Sequence, residues 1–361
     1  MRALFALLLA GFFTACGMPA PGDVEFPQPS PPLRVTAPAR TPPPDWPSRK
    51  DPLPQPQGLD SVPAQRRVGV GVVRPIEDAA WLEVLGAGFY LHWRTLESPP
   101  PGPEYWQMVR ASKGKFFTPV DEIRRAAAAN PGATWVVGNE PDVHAQDSMT
   151  PATFAAAYHH FYTIIRDADP SARIAVGAVG AATPLRLAYL DAALAAYRAQ
   201  FGSELPADMW TFHIYILPEV AGRWGLKIPP GMEARRGWTF GTDAHLDLWR
   251  FEAQVRAFRA WMAGRGYRDM PLALTEFGVL MPAVYGYDAE AAAHFLESTF
   301  DFLRTATDSE TGLPSDGNRL VQYWAWFSLA DPLYPESDLV DPITGDLTAV
   351  GRRFRAYIQG W

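Results

Sequence analysis

Thr134-Trp-Val-Val-Gly-Asn-Glu-Pro-Asp142 is the stretch on which the reading of this chain turns. Trp135, Val136 and Val137 form a short apolar run of the kind a buried strand needs. Gly138 and Pro141 stop it. At the stop stand an amide, Asn139, and two carboxylates, Glu140 and Asp142. A buried strand that ends by projecting Asn-Glu suits sugar chemistry. One carboxyl can protonate a leaving oxygen, and the neighbouring amide can hold a sugar hydroxyl. That chemistry requires a second carboxylate from elsewhere in the chain.

Outward from this stretch, strand-like runs fall at 67–73, 88–93, 105–109, 173–179, 209–216, 271–277 and 320–329. Helical stretches fall at 77–85, 118–129, 150–168, 184–201, 244–264, 288–306 and 347–358. Thr118-Pro119 and Thr150-Pro151 place a proline in the first turn of a helix, where its missing N–H is harmless. The link from the second run to the third is short and rich in proline (Pro99 to Pro103), with little room for a helix. Strands alternating with helices imply parallel pairing, and eight such units close into a (β/α)8 TIM barrel. The 361 residues accommodate one barrel of about 250 residues plus extensions. An open doubly wound sheet would call for a glycine-rich phosphate loop after the first strand. Gly69-Val-Gly71 instead lies inside the run, without the third glycine or the helix start.

The N-terminal part reads differently. A positive start at Met1-Arg2 precedes an apolar run, 3–13, too short to span a membrane as a stable helix. Small residues, Thr14-Ala15, come just before Cys16, the single cysteine. Residues 1–16 therefore resemble a bacterial lipoprotein signal ending at a lipidated Cys16, with Phe13 where such signals usually carry leucine. An ordinary signal with a chance cysteine is the alternative. Residues 17–64, crowded with proline, read as an extended tether, which leaves 65–361 as the catalytic domain. The expected location is the cell envelope, with the membrane as a partner through the lipid anchor. The formal charge of −7 argues against a nucleic-acid partner, since phosphate binding needs a basic face.

In a barrel, active-site groups sit at the C-terminal ends of the strands. Those ends offer Arg74 on the first, His92 and Trp93 on the second, and Asn139 and Glu140 on the fourth. The sixth offers His213 and Tyr215, the seventh Glu276, and the eighth Trp324 and Trp326. Glu276, in Leu274-Thr275-Glu276-Phe277-Gly278, is the second carboxylate. His213 could instead be bonded to the backbone, and Arg74 could be scaffold paired with an acid. No zinc spacing of the His-Glu-x-x-His kind occurs, and His159-His160 are adjacent on a helix and face apart, so no metal site and no cofactor is expected.

The arrangement resembles clan A of the glycoside hydrolases. Asn139-Glu140-Pro141-Asp142 with Thr275-Glu276-Phe277-Gly278 is most similar to glycoside hydrolase family 128 and its fungal cell-wall relatives, over residues 67–361. His92-Trp93 stands where that family tends to have Asn-Trp. The resemblance implies Glu140 as acid/base, Glu276 as nucleophile, and retaining cleavage of a polysaccharide, β-1,3-glucan in that family. Two carboxyls so close resist joint ionisation, so one can hold the proton while the other attacks. On this reading Asn139 holds the sugar 2-hydroxyl, Tyr215 orients Glu276, and Trp324 and Trp326 form a stacking floor, with Arg74, His92, Trp93 and His213 as further substrate contacts. Another clan A activity, such as a β-xylosidase or an endo-galactanase, and a tethered glycan-binding pseudoenzyme are the alternatives.

Overall fold

The computed structural model describes residues 64–73, 79–113 and 115–361; the signal, Cys16, nearly all of the tether, and Arg74 lie outside the described residues. Among the described residues eight strands form the barrel, in chain order β1 Val68–Gly71, β2 Phe89–Leu91, β3 Glu104–Val109, β4 Thr134–Asn139, β5 Arg173–Val179, β6 Met209–Ile214, β7 Leu272–Gly278 and β8 Tyr323–Phe327. Each pairs in parallel with its neighbour in sequence, and β8 returns to β1 through Val68↔Trp324 and Val70↔Trp326, closing the barrel. Among the described residues seven α-helices follow the strands: α1 Ala80–Leu85, α2 Val120–Ala129, α3 Pro151–Ala168, α4 Pro184–Phe201, α5 Leu248–Gly264, α6 Ala289–Thr305 and α7 Ala349–Gln359. The β2–β3 connection has no helix, as its prolines foretold. A small hairpin, Ala111–Ser112 with Lys115–Phe116, follows β3; its strands are too short to leave a period in the sequence. Among the described residues no helix is long and apolar enough to cross a membrane.

Local chemistry sets the helix starts. The Thr150 and Thr183 hydroxyls accept from the backbone N–H three residues on, with Pro151 and Pro184 in the first turn. Asp247, Asp288 and Thr348 cap α5, α6 and α7 in the same way. Each cap contributes about 1 kcal/mol. It fixes where the chain turns from the strand end into the helix, and so how long each loop over the barrel mouth can be.

Side-chain parity decides what faces the barrel axis. Phe89, Leu91, Trp106, Met108, Val136, Ala175, Met209, Ala273, Tyr323 and Ala325 form the interior plug, with Phe89 stacked on Trp106 at 4.1 Å. Gly69 faces the same space, where a Cβ would come within 2.5 Å of the Phe89 ring. The alternate residues point outward to the helices, among them Val68, Val70, Trp135, Val137, Trp210 and Phe212. Such strands, apolar on both faces, are what a parallel sheet covered on both sides demands.

This parity corrects the expectation for β8. Trp324 and Trp326 lie in the layer between barrel and helices, not at the mouth. Trp324 stacks on Trp361 at 5.5 Å. Trp326 meets Phe277 and Phe295, and its Nε1–H donates to Ser337 O at 2.8 Å. The residues of β8 that face inward are Tyr323, Ala325 and, at the mouth, Phe327. Trp326→Ala should therefore cost about 3–5 kcal/mol of unfolding free energy in urea and leave the catalytic parameters of the folded fraction unchanged. A variant of normal stability with weakened substrate affinity would return Trp326 to the site.

Candidate active site

The end of β4 departs from ordinary strand geometry where it delivers Glu140. Gly138 has φ +94°, and Glu140 itself is left-handed at φ +46°. A left-handed non-glycine residue costs about 1–3 kcal/mol and persists only where its surroundings hold it. Here the Glu140 N–H donates to Ala178 O at 2.8 Å, and its carbonyl accepts from Val143 N at 3.0 Å. One residue earlier, Asn139 N donates to the buried Asp147 carboxylate at 2.8 Å, which also accepts from Arg110 Nε at 2.9 Å. Burial raises Asp147 to about 6, against the pull of Arg110.

Glu276 reaches the same space through a bulge. Leu274 points outward, so strict alternation would send Glu276 outward too. The register slips by one residue between the pairs Phe212↔Leu274 and His213↔Glu276, leaving Thr275 extra. A bulge of this kind re-aims the side chain that follows it. His213 faces inward because its neighbours Phe212 and Ile214 pack on the helices.

The result is a closed arrangement at the mouth of the barrel. The His213 Nδ1 lies 3.0 Å from Glu140 Oε1, and its Nε2 lies 3.5 Å from Glu276 Oε1. Trp93 Nε1–H donates to Glu276 Oε1 at 2.6 Å, and the Tyr215 hydroxyl donates to Oε2 at 3.3 Å. Donor atoms of Glu140, His213 and Glu276 all lie within 4.8 Å of one another. Trp93 is left-handed as well, at φ +51°. With Tyr215 and Phe327 it forms an aromatic wall, the rings meeting edge to face at 5.8 Å (Trp93–Phe327) and 6.3 Å (Tyr215–Phe327).

Burial pushes Glu276 above the usual carboxylate range, and the Glu140 charge adds to this. His213 and the Trp93 and Tyr215 donors pull the other way. Burial would lower His213, but the negative field of Glu276, with the hydrogen bond and charge of Glu140, outweighs it and holds the imidazole above its ordinary value. The charge of His213 and that of Glu276 thus support each other, each favouring the ionised form of its partner. The same three groups could ligate a cation, but a metal would have to displace the imidazole from both carboxylates.

The other expected residues sort as follows. Asn139 sits beside Glu140, with Nδ2 3.4 Å from Gln146 Oε1 and a buried Oδ1 that has no hydrogen-bond partner among the described residues. His92 Nδ1 donates to Val72 O at 2.6 Å, so Nε2 is an acceptor, and it too is buried without a partner among the described residues. His213 is not backbone-bonded but bridges the acids. Trp93 holds Glu276, a role its sequence position did not suggest. Asp142, read from sequence as turn chemistry, is fully buried and ion-paired to Arg186. Phe327 and Asp147 were missed. Strand parity on β8 could have found the first; no local signal marks the second.

No family model matches the chain, and no curated protein does. Solved structures do. One is an endo-β-1,3-glucanase of glycoside hydrolase family 128, subgroup II, from Sorangium cellulosum, at TM-score 0.55 and 18 % identity over 80 % of this chain and 98 % of that one. Another is a curdlan-specific exo-β-1,3-glucanase of subgroup III from Blastomyces gilchristii, at 0.55 and 19 % over 81 % and 99 %. A third is a subgroup I endo-β-1,3-glucanase from Amycolatopsis mediterranei in complex with laminarihexaose, at 0.54 and 19 % over 81 % and 99 %. The likeness shows that the (β/α)8 barrel of this chain is built as theirs are.

The Trp93 donor gives a test. If Glu276 is the nucleophile that the sequence resemblance implies, it acts ionised, and turnover should fall as pH drops through its raised pKa, above the usual carboxylate range. The indole N–H stabilises the anion. Trp93→Phe should therefore move the acid limb of the pH–rate profile to higher pH, and an unmoved limb would remove Trp93 from this role.

Proposed function

We propose that this protein is a retaining glycoside hydrolase that cleaves β-1,3-glucan, with Glu140 as acid/base and Glu276 as nucleophile. The observation that carries the reading is the approach of two buried carboxylates within 4.8 Å at the barrel mouth. One oxygen of each carboxylate lies within this distance of the other, nearer the spacing of about 5–5.5 Å between the carboxyls of retaining enzymes than the about 6.5–9.5 Å of inverting ones. The choice of β-1,3-glucan rests on fold likeness to structures described as β-1,3-glucanases.

In the first step Glu276 attacks the anomeric carbon while Glu140 protonates the departing glycosidic oxygen. The bond to the leaving sugar breaks as the ester to Glu276 forms. Trp93 and Tyr215 hold Glu276 for attack, and their N–H and O–H stay behind as the carboxylate loses charge. In the second step Glu140, now ionised, takes a proton from water, which attacks the same carbon and frees Glu276. His213 spans both acids and keeps a positive charge available as the proton moves. On this reading Asn139, next in the chain to Glu140, holds the 2-hydroxyl of the sugar, and His92 is a further substrate contact. Phe327, Trp93 and Tyr215 supply the apolar wall first assigned to Trp324 and Trp326.

We further propose that Cys16 carries a lipid and that 17–64 tethers the barrel to the outer face of a membrane. Cys16→Ser should then shift the protein from the membrane to the soluble fraction; unchanged fractionation would remove the anchor.

Reducing ends should appear from soluble β-1,3-glucan and not from xylan or galactan. Release from none of them, with retention in affinity electrophoresis, would make the protein a glycan binder. Glu276→Ala should abolish turnover with the fold intact. Glu140→Ala should slow glucan cleavage by about 10²–10⁴-fold. It should slow dinitrophenyl glycosides far less in the first step, because that leaving group needs no proton. By NMR the first-formed product should keep the anomeric configuration of the substrate, and inversion would overturn the mechanism.

A further inference from the structure

We propose that Arg186 is a positioning residue for Glu140, and that it acts by binding the 217–240 segment to the turn that carries Glu140. This rests on reading Glu140 as the acid/base. The segment follows β6 and is long enough to be a mobile lid; its bonding makes it a fixed wall.

Arg186 lies in the first turn of α4 with its side chain wholly buried. A guanidinium has five N–H donors, and here there are five acceptors. Nε donates to Glu219 Oε1 at 2.8 Å. Nη1 donates to the Asp142 carboxylate and to Asp142 O at 3.2 Å. Nη2 donates to Leu226 O and Lys227 O, both at 3.0 Å. Two of its acceptors are on the Glu140 turn and three are on the 217–240 segment.

Each anion is secured in turn. Glu219 also accepts from the Thr183 hydroxyl at 2.7 Å and from Trp238 N at 2.9 Å, so it closes the base of the segment. The Asp142 carboxylate accepts from Gly180 N at 3.2 and 3.3 Å. A Cβ on Gly180 would stand 3.2 Å from Glu140 Oε1, so the residue that bonds Asp142 also lies against the acid. Asp142 is held through both its carbonyl and its carboxylate, two residues after the left-handed Glu140. That turn cannot relax without breaking bonds to Arg186.

Two carboxylates and one guanidinium are all fully buried. Such a group gives little net stability over apolar packing of the same volume; what it does supply is a fixed geometry. The geometry it fixes includes the strained residue the chemistry needs.

The test uses Glu219→Gln, altered on the loop side and remote from the reacting atoms, and Arg186→Lys, which keeps the charge and loses donors. Each is assayed on a β-1,3-glucan oligosaccharide and on a dinitrophenyl β-glycoside. If the network places Glu140, glucan turnover should fall by about 10–100-fold, the scale of a small misplacement of a catalytic group. Formation of the glycosyl-enzyme from the dinitrophenyl substrate should fall much less. Equal losses on both substrates, or none on either, would overturn the proposal. Hydrogen exchange on the unaltered protein serves as a check that does not depend on activity or on a variant folding. The amides of 142–147 and of the non-proline residues of 219–238 should open as one cooperative unit, and independent opening would overturn the coupling. If the unaltered protein cleaves neither substrate, the proposed function falls, and the exchange result still decides the coupling.

Discussion

Two carboxylates that would repel each other are brought together from opposite parts of a barrel, with one imidazole between them. The rest of the structure serves that placement. β4, β6 and β7 must each deliver one polar side chain to the same layer at the mouth, above an interior filled by Phe89, Trp106, Met108 and Met209. The apolar plug keeps water from below, so the acids pay a desolvation cost. His213, Trp93 and Tyr215 offset it with charge and with donors. Unsupported, two acids this close and this buried would resist ionisation, and the proton would not be directed to one of them.

The irregularities of the chain gather at this layer. Glu140 and Trp93 are left-handed, and the strand carrying Glu276 has a bulge just before it. Regular strands would send alternate residues inward at fixed heights. The site instead needs particular side chains at one height, and each departure corrects one strand's aim. Ion pairs of two buried aspartates brace the departure at β4 from both sides: Asp147 with the half-buried Arg110 before Glu140, and Asp142 with Arg186 after it. Both pairs join the Glu140 turn to neighbouring loops, so loop geometry and acid geometry are set together.

Much of this was legible in the sequence. The eight runs, the absence of a helix between the second and third, and the two glutamates at strand ends follow from apolar length, proline and position. β8 was harder. Tyr323-Trp-Ala-Trp-Phe is apolar on both faces, so hydropathy does not say which parity faces the axis, and the two tryptophans drew the assignment by size. Ala325 lies inward with Phe89, Trp106 and Tyr323, while Trp324 and Trp326 lie in the layer under the helices. Asp142 misled for another reason. An aspartate after a proline is commonly turn chemistry, and its partner Arg186 is 44 residues away on an Ala-rich helix. Long-range pairing of buried charges leaves no local pattern.

The central claim is that Glu276 becomes covalently bonded to the sugar. It is tested most directly with a β-glucosyl or β-laminaribiosyl donor bearing fluorine in place of the 2-hydroxyl and an activated leaving group. The fluorine destabilises the oxocarbenium-like transition states of both steps, while the good leaving group lets the first step proceed, so the glycosyl-enzyme accumulates. Mass spectrometry of the proteolysed adduct should place the sugar on the Leu274-Thr275-Glu276-Phe277 segment, at Glu276. A sugar attached at Glu140 or at any other residue would contradict the account.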